Sequence, residues 1–297
     1  MKLEQHIVKC LGKYGIYVEH YLCDHPCGTM LLVNGALATT NAYTQTAKYL
    51  TRDLKLNVVL YDLPYAGKSR EHNPGLALVG KDDEVDILCH LIDRFSADYL
   101  SSISWGGVAA LLAMARGPSS VKKAVIGSFS PVLNGPMLDY IARGQALVEA
   151  NDKSGAANLL NSTVGKFLPR LLKLYNYRYL TSLPDTDAPQ LHFHVRQILE
   201  LDANNYLESM GQIDIPVLFM NGQLDEYTTA SDVHLLSKFI HNARFVTIQG
   251  AGHFLDLESK KALREVRRLG REFLLGEEDE PAEDEAVLCQ DGTREIA

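Results

Sequence analysis

The sequence contains no long apolar run. Of its 297 residues, 46% are apolar and 22% are charged, which is the composition of a globular protein. The apolar segments are short and interrupted, and none approaches the ~20 residues that cross a bilayer. Glu4, Gln5 and His6 stand near the N-terminus, where a secretory signal would need an apolar core. We therefore expect a cytoplasmic protein with no transmembrane segment.

Cysteine is scarce. The five residues are Cys10, Cys23, Cys27, Cys89 and Cys289, and their odd count and irregular spacing indicate no disulfide framework. No second Cys or His pair stands at the spacing of a zinc site. We predict free thiols in a reducing compartment, and we expect no metal and no cofactor.

Most of the chain carries no net charge. The net charge is −8, and residues 277–297 account for all of it with nine acids and one base. A neutral body does not attract nucleic acid, so we expect no nucleic-acid partner. Residues 277–297 are acidic and nearly free of aromatic side chains, which predicts a disordered tail.

One basic feature remains in the neutral body. Six basic side chains recur at helical spacing before the tail, so several of them share one face of a helix. This basic face is either a solvated surface or a dock for an acidic partner. Its members are Lys260, Lys261, Arg264, Arg267, Arg268 and Arg271.

The body itself alternates short apolar runs with helical patterns. Near-continuous apolar runs are typical of strands that are buried on both faces. Their alternation with helices predicts right-handed crossovers and a doubly wound α/β sheet, mostly parallel and eight-stranded. The predicted strands cover residues 7–13, 16–22, 29–33, 57–63, 99–103, 121–129, 216–220 and 244–248, and the predicted helices cover 41–53, 82–95, 105–116, 230–240 and 256–275.

One segment breaks the alternation. Residues 132–210 contain helical patterns at about 137–150, 155–165, 168–179 and 190–207, without a convincing strand. An all-helical insertion between two strands is most simply a cap over the edge of the sheet. We therefore divide the chain into a core of residues 1–131 and 211–276, a helical cap of residues 132–210, and the tail.

The segment most suggestive of chemistry follows the predicted strand 99–103. Ser104 lies in the run SISWGG at residues 102–107, between the strand and a helix. A small-x-Ser-x-Gly pattern at such a junction is typical of a nucleophile elbow, where small neighbours let a tight turn present the hydroxyl. The helix N-terminus also favours developing negative charge. Ser102 stands in place of the usual first Gly.

Two later loops supply the partners that a serine nucleophile needs. Asp225 follows the predicted strand 216–220, and His253 follows the strand 244–248. Ligands of open α/β sheets bind at the carboxyl ends of the strands, and the order Ser, acid, His is that of the α/β-hydrolase triad. His253 would take the proton of Ser104, and Asp225 would orient the imidazole. Glu226 and Asp256 remain alternative acids.

A site of this kind also needs donors for the oxyanion. The candidates are the backbone N–H groups of Ala36 and Trp105. Asn34, Leu37, Trp105 and Phe254 are candidate substrate-binding residues. Two further histidines of the cap, His192 and His194, are read as structural or as lining an acyl pocket, and Asp62 as an organiser of its loop.

Five segments carry a resemblance to a known family: residues 31–40, 58–70, 104–107, 225–229 and 252–256. They resemble a narrow α/β-hydrolase branch of 3-hydroxyacyl transferases, and the similarity extends over about residues 10–275. The branch contains the rhamnolipid-pathway 3-(3-hydroxyalkanoyloxy)alkanoate synthases and the 3-hydroxyacyl-carrier-protein:coenzyme A (CoA) transacylases of polyhydroxyalkanoate synthesis. The resemblance implies the α/β-hydrolase fold and a Ser104 acyl-enzyme.

The resemblance leaves the acyl acceptor open. Residues 81–85, 145–147 and 256–260 are more similar to the synthases, which join two 3-hydroxyacyl groups into the lipid precursor of rhamnolipids. Residues 121–125, 128–132 and 215–219 are more similar to the transacylases, although Tyr179 stands where a His of their His-x4-Asp pattern would fall. We prefer the synthase, with the transacylase or an esterase or thioesterase as alternatives. The implied substrates are 3-hydroxyacyl thioesters of CoA or of acyl carrier protein (ACP), and ACP is a candidate partner for the basic face.

Overall fold

A mixed sheet forms the centre of the structure, a computed structural model that describes residues 1–36, 38–75, 78–200 and 203–276. The predicted disordered tail, residues 277–297, lies outside the described residues. In chain order the eight strands of the described part are β1 to β8: Lys2–Cys10, Tyr14–Leu22, Gly28–Val33, Leu56–Tyr61, Tyr99–Ile103, Lys123–Gly127, Val217–Gly222 and Ala243–Ile248. Ten α-helices are described, α1 to α10: Thr44–Asp53, Lys81–Phe95, Gly106–Ala115, Gly135–Glu149, Lys153–Ser162, Arg170–Ser182, Ala188–Leu199, Ala203–Ser209, Ala230–Val233 and Lys260–Leu275.

The strands are ordered β1-β2-β4-β3-β5-β6-β7-β8. The pairings of β1 with β2 and of β2 with β4 are antiparallel, and all the others are parallel. Every parallel crossover passes through at least one helix, as a parallel connection requires. The prediction of an eight-stranded, mostly parallel sheet with the α/β-hydrolase architecture is confirmed.

Both faces of the sheet are covered, which explains the near-continuous apolar strands. In β3, Leu31 and Val33 pack into the core that contains α2 and α3. Met30 and Leu32, which alternate with them, pack into the core that contains α1. Successive side chains of a strand point to opposite faces, so a strand between two helical layers has no solvent-facing position. A strict apolar–polar alternation is therefore missing from the central strands.

The segment between β6 and β7 consists of helices α4 to α8 within its described residues. Two of its helix starts follow local capping chemistry, since Asn134 caps α4 and Asp152 caps α5 through their side chains. The single helix predicted over residues 190–207 is wrong, because α7 ends at Leu199 and α8 begins at Ala203. The division into core and cap stays a prediction.

The ends of several elements differ from those predicted. β1 begins at Lys2 instead of residue 7, since it pairs with β2 along its whole length despite its exposed polar side chains. α10 begins at Lys260, where the Ser259 side chain accepts a hydrogen bond from the Ala262 amide. No helix of the described residues is both long and apolar enough to span a membrane.

Candidate active site

Ser104 occupies a tight turn between the end of β5 and the start of α3. Its φ is +53°, a left-handed conformation that is strained for a residue with a side chain. The neighbouring glycines permit the turn: a Cβ at Gly106 would lie 2.5 Å from the Asn34 carbonyl oxygen, and one at Gly107 would meet the Phe129 ring. The Ser104 amide donates to the Gly127 carbonyl of β6 at 2.9 Å. The backbone therefore holds the hydroxyl at the carboxyl end of the central strand β5.

The structure brings together the three side chains that the sequence singled out. Nε2 of His253 lies 3.0 Å from Oγ of Ser104, and Nδ1 of His253 lies 2.8 Å from Oδ2 of Asp225. His253 is 5% exposed and the Asp225 side chain is fully buried. These contacts have the geometry in which an imidazole can take the serine proton while a carboxylate orients its ring.

Asp225 is the acid of this arrangement, and neither alternative contacts His253. Oδ1 of Asp225 accepts hydrogen bonds from the amides of Tyr227 and Thr228, and Oδ2 also accepts one from the Thr228 hydroxyl. Burial raises the pKa of Asp225, but the bonds from His253, Thr228 and Tyr227 outweigh it and hold the pKa below its usual value. The carboxylate therefore stays ionised beside the imidazole.

The two alternative acids have other surroundings. Glu226 is exposed and forms an ion pair with Lys166 at 2.8 Å. Asp256 follows the His253 loop, and burial raises its pKa to about 6. Of the three acids that the sequence offered as partners of His253, the structure therefore places only Asp225 in contact with the imidazole.

Sequence reasoning missed several residues that hold the loops of His253 and Asp225 in place. Glu258 accepts hydrogen bonds from the amides of Gly252 and Phe254, on either side of His253. The Ser128 hydroxyl donates to the His253 carbonyl. The Thr228 hydroxyl, which donates to Asp225, was missed as well. No local pattern marks Glu258 or Ser128.

The predicted oxyanion donors lie on the two loops that adjoin Ser104. Trp105 directly precedes α3, and Ala36 follows β3 in a turn closed by the Ala38 amide and the Gly35 carbonyl. The Tyr43 hydroxyl accepts a hydrogen bond from the Gly35 amide at 3.1 Å and so braces this turn. Within the described part of the chain, no acceptor contacts the N–H of Ala36 or of Trp105. Their role as oxyanion donors stays a prediction.

The predicted substrate-binding residues have mixed surroundings. Asn34 is 3% exposed and donates its side-chain amide to the Tyr61 carbonyl at 2.6 Å, which is a structural contact. Phe254 lies edge-on to His253 with ring centroids 5.6 Å apart. The Trp105 ring contacts Lys81 and His194. Leu37 lies outside the described residues. Substrate binding by any of the four stays a prediction.

Asp62 organises the loop after β4, as the sequence indicated. It accepts hydrogen bonds from the amides of Thr40 and Lys68 at 2.7 and 2.8 Å. Gly67 has a φ of +48° and lies against the Asp62 carboxylate, where a Cβ would collide with it. Asp62 therefore joins the loop after β4 to the loop after β3, which carries Ala36.

A cleft of about 450 Å³ lies beside Asp225. Phe167, Leu224, Asp225 and Glu226 are among its lining residues, but Ser104 and His253 are not. It therefore lies beside the Asp225 loop and does not open onto the nucleophile.

Comparison with known proteins places this geometry in a family. Residues 28–259 match the family model described as alpha/beta hydrolase fold. The chain is 44% identical over 281 residues to a protein of Pseudomonas aeruginosa named (R)-3-hydroxydecanoyl-ACP:CoA transacylase, with 95% of this chain and 93% of that protein covered. A Pseudomonas putida protein of the same name is 45% identical, with 92% of each chain covered.

Solved structures show the same fold at low sequence identity. A putative lipase of Acinetobacter baumannii matches with a TM-score of 0.73 at 20% identity, over 92% of this chain and 91% of that one. The enol-lactonase of Burkholderia xenovorans matches with a TM-score of 0.72 at 15% identity, over 92% and 100%. The predictions of the fold, of the family and of an enzyme are confirmed. The chain belongs to the α/β-hydrolase fold family, in the branch that contains the 3-hydroxyacyl-ACP:CoA transacylases.

Proposed function

We propose that the protein is a serine acyltransferase that moves 3-hydroxyacyl groups between thioester and acceptor through an acyl-enzyme on Ser104. The observation that carries the proposal is the continuous contact from Ser104 through His253 to Asp225. A serine hydroxyl is a poor nucleophile without such a base. The 44–45% identity to proteins named as transacylases supports the transfer of an acyl group rather than its hydrolysis.

The first half of the reaction follows from the site geometry. His253 Nε2 takes the hydroxyl proton as Ser104 Oγ attacks the thioester carbonyl, and the Asp225 carboxylate stabilises the imidazolium. The backbone N–H groups of Ala36 and Trp105 donate hydrogen bonds to the developing oxyanion. When the C–S bond breaks, the thiolate takes the proton from His253, so the carrier leaves as a thiol and the acyl group stays on Ser104.

The acceptor in the second half distinguishes the candidate functions. We put the thiol of CoA first, because the curated relatives carry the name of an ACP:CoA transacylase. The 3-hydroxyl of a second acyl group, which would form the rhamnolipid precursor, comes second. It is favoured by the similarity of residues 81–85 to the synthases and by Tyr179 in α6 at the place of the transacylase histidine. In either case His253 takes the acceptor proton as the acceptor attacks the Ser104 ester, and it gives that proton to Ser104 Oγ when the ester bond breaks.

A decisive experiment supplies 3-hydroxydecanoyl-ACP with and without CoA and identifies products by mass spectrometry. A 3-hydroxydecanoyl-CoA product supports the first acceptor, and a 3-(3-hydroxydecanoyloxy)decanoyl product supports the second. Intact-mass detection of an acyl adduct that disappears in Ser104→Ala tests the shared step. Free monomer as the sole product, formed at the same rate with and without CoA, would contradict acyl transfer and favour a thioesterase.

The carrier protein would dock on the exposed part of the basic face. Arg268 forms ion pairs with Glu265 and Glu272, and is therefore partly neutralised. Lys260, Lys261 and Arg264 are exposed in the first turns of α10, which begins shortly after the His253 loop. We propose these three residues as the ACP contact, since charge complementarity accelerates and orients association. The variant Lys261→Glu/Arg264→Glu should raise KM for the ACP thioester without changing KM for the CoA thioester.

The cytoplasm is the proposed location. Cys10, Cys23, Cys27 and Cys89 are all free thiols in the described residues, and free thiols persist in a reducing compartment. Fractionation of cells that express the untagged chain would test this location.

A further inference from the structure

A buried cluster of charged and polar side chains lies beside the Trp105 ring. Lys81 and Glu84 form an ion pair in the first turn of α2, although they are only 7% and 3% exposed. His194 of α7 is 7% exposed, and its Nε2 lies 3.5 Å from Oε1 of Glu84. The Tyr65 hydroxyl donates to the same oxygen at 3.0 Å. None of these four residues touches Ser104, His253 or Asp225 in the contacts described.

The cluster holds the indole of Trp105. The Lys81 ammonium lies 4.3 Å from the centroid of the Trp105 ring. The His194 ring lies 5.2 Å from the same ring, tilted by 31°. A cation over an indole face is attracted by the ring quadrupole, and more strongly where water is excluded. Trp105 is therefore held by α2 and by α7, although it belongs to neither helix.

Stability alone is a poor explanation for this ion pair. Desolvation of two charges offsets most of their attraction, and apolar residues of similar size often serve a buried site equally well. Burial holds the pKa of Lys81 below its usual value, although the neighbouring Glu84 carboxylate acts in the opposite direction. The position of the pair, between the elbow residue Trp105 and the helix α7, offers a more specific explanation.

Helix α7 is tied to the core close to this cluster. The Gln190 side chain exchanges two hydrogen bonds with the backbone of Val79, each of 2.9 Å. Asp187, directly before α7, forms an ion pair with Arg70 at 2.6 Å. A shift of α7 would therefore move His194 and, through the ring contact, Trp105.

We propose that Lys81, Glu84 and His194 are positioning residues that hold the Trp105 indole, and through it the backbone N–H that follows the nucleophile. The inference rests on the proposed function, since it assigns that N–H to the oxyanion. Ser104 is strained at a φ of +53°, so a neighbour with a fixed side chain limits how the turn can relax. Docking of α7 and orientation of the oxyanion donor are therefore coupled.

The chain offers a direct spectroscopic test, because Trp105 is its sole tryptophan. The test variants are Lys81→Met/Glu84→Gln, which leaves no unpaired buried charge, and His194→Leu, which removes the ring that contacts Trp105. Asp86→Asn is the matched control: it breaks an ion pair of α2 with Arg116, and Asp86 contacts neither Trp105 nor α7 among the contacts described. The measurements are tryptophan emission, the rate of Ser104 labelling by a fluorophosphonate, and kcat and KM for a p-nitrophenyl ester.

We expect both test variants to change the emission of Trp105 and to lower kcat and the labelling rate about 10- to 100-fold, as for a misplaced catalytic group. KM should stay within about threefold, while Asp86→Asn keeps the emission and kcat of the original protein. Changed emission with an unchanged labelling rate would overturn the proposal and leave a structural ion pair. Unchanged emission in both variants would overturn it as well.

Two further outcomes are distinguishable. If Lys81→Met/Glu84→Gln does not fold, His194→Leu decides alone, because it leaves the ion pair of Lys81 and Glu84 in place. If the unaltered protein is not labelled at Ser104, the proposed function fails. The emission comparison would still show whether the cluster holds Trp105.

Discussion

Replacement of Glu258 by Gln tests how the catalytic imidazole is held. Oε1 of Glu258 accepts a hydrogen bond from the Phe254 amide at 3.0 Å, and Oε2 accepts one from the Gly252 amide. His253 lies between these two amides. A Gln retains one acceptor oxygen but places an NH2 group against the other N–H, so one bond becomes a contact between two donors.

The expected effect follows from these two bonds. A hydrogen bond to a charged group contributes about 1.5–3 kcal/mol, and we expect the free energy of unfolding to fall by about that amount. The activity should fall as well, because a displacement of about 1 Å in a catalytic group can lower a rate about 100-fold. We therefore expect kcat to fall about 10- to 100-fold, which corresponds to about 1.4–2.7 kcal/mol of transition-state stabilisation.

The assay is the rate of fluorophosphonate labelling of Ser104, together with urea unfolding. Glu226→Gln is the matched control, since Glu226 is exposed, adjoins the same site and pairs only with Lys166 among the contacts described. It should label at the original rate. An original labelling rate in Glu258→Gln would refute the reasoning, and would show that the Ser128 hydroxyl, which donates to the His253 carbonyl, is sufficient to hold the loop.

Three further predictions concern buried polar groups. Thr228→Val removes the hydroxyl that donates to Asp225 and should lower kcat about tenfold, whereas Thr228→Ser should restore it; equal kcat values for the two variants would contradict this role. Burial raises the pKa of Asp256 to about 6 from 3.8, so the folded state binds more protons than the unfolded state in that window and stability falls as pH rises through it. Asp256→Asn should therefore raise the free energy of unfolding at pH 7.5, by at most roughly 3 kcal/mol, and have little effect at pH 4; an equal gain at both pH values would count against it. Burial lowers the pKa of His194 from 6.5 to about 4, so the unfolded state binds more protons between these values and stability is lost as pH falls. Urea unfolding of His194→Gln should show a flatter pH dependence from 6.5 to 4, and an unchanged slope would refute the assignment.

Local patterns were sufficient where the chemistry is local. Ser104 was recognisable because a strand, a small-residue turn and a helix follow one another within a few residues. The helical starts at Asn134 and Asp152 carry their own capping side chains. By contrast, β1 was predicted too short, because its outer residues are polar and exposed and their strand conformation comes from pairing with β2.

The sequence by itself determined the alternation of strands and helices, the order of Ser104, Asp225 and His253, and the family. Each of these depends on residue types and spacing, which the chain carries directly. Only the tertiary structure decided that Asp225, and not Glu226 or Asp256, contacts the imidazole. It also revealed Glu258 behind the His253 loop and the pair of Lys81 and Glu84 beneath Trp105. The physical reason is that a hydrogen bond or a ring contact depends on distances of a few ångströms between segments far apart in sequence, and packing of the sheet and its helices sets those distances.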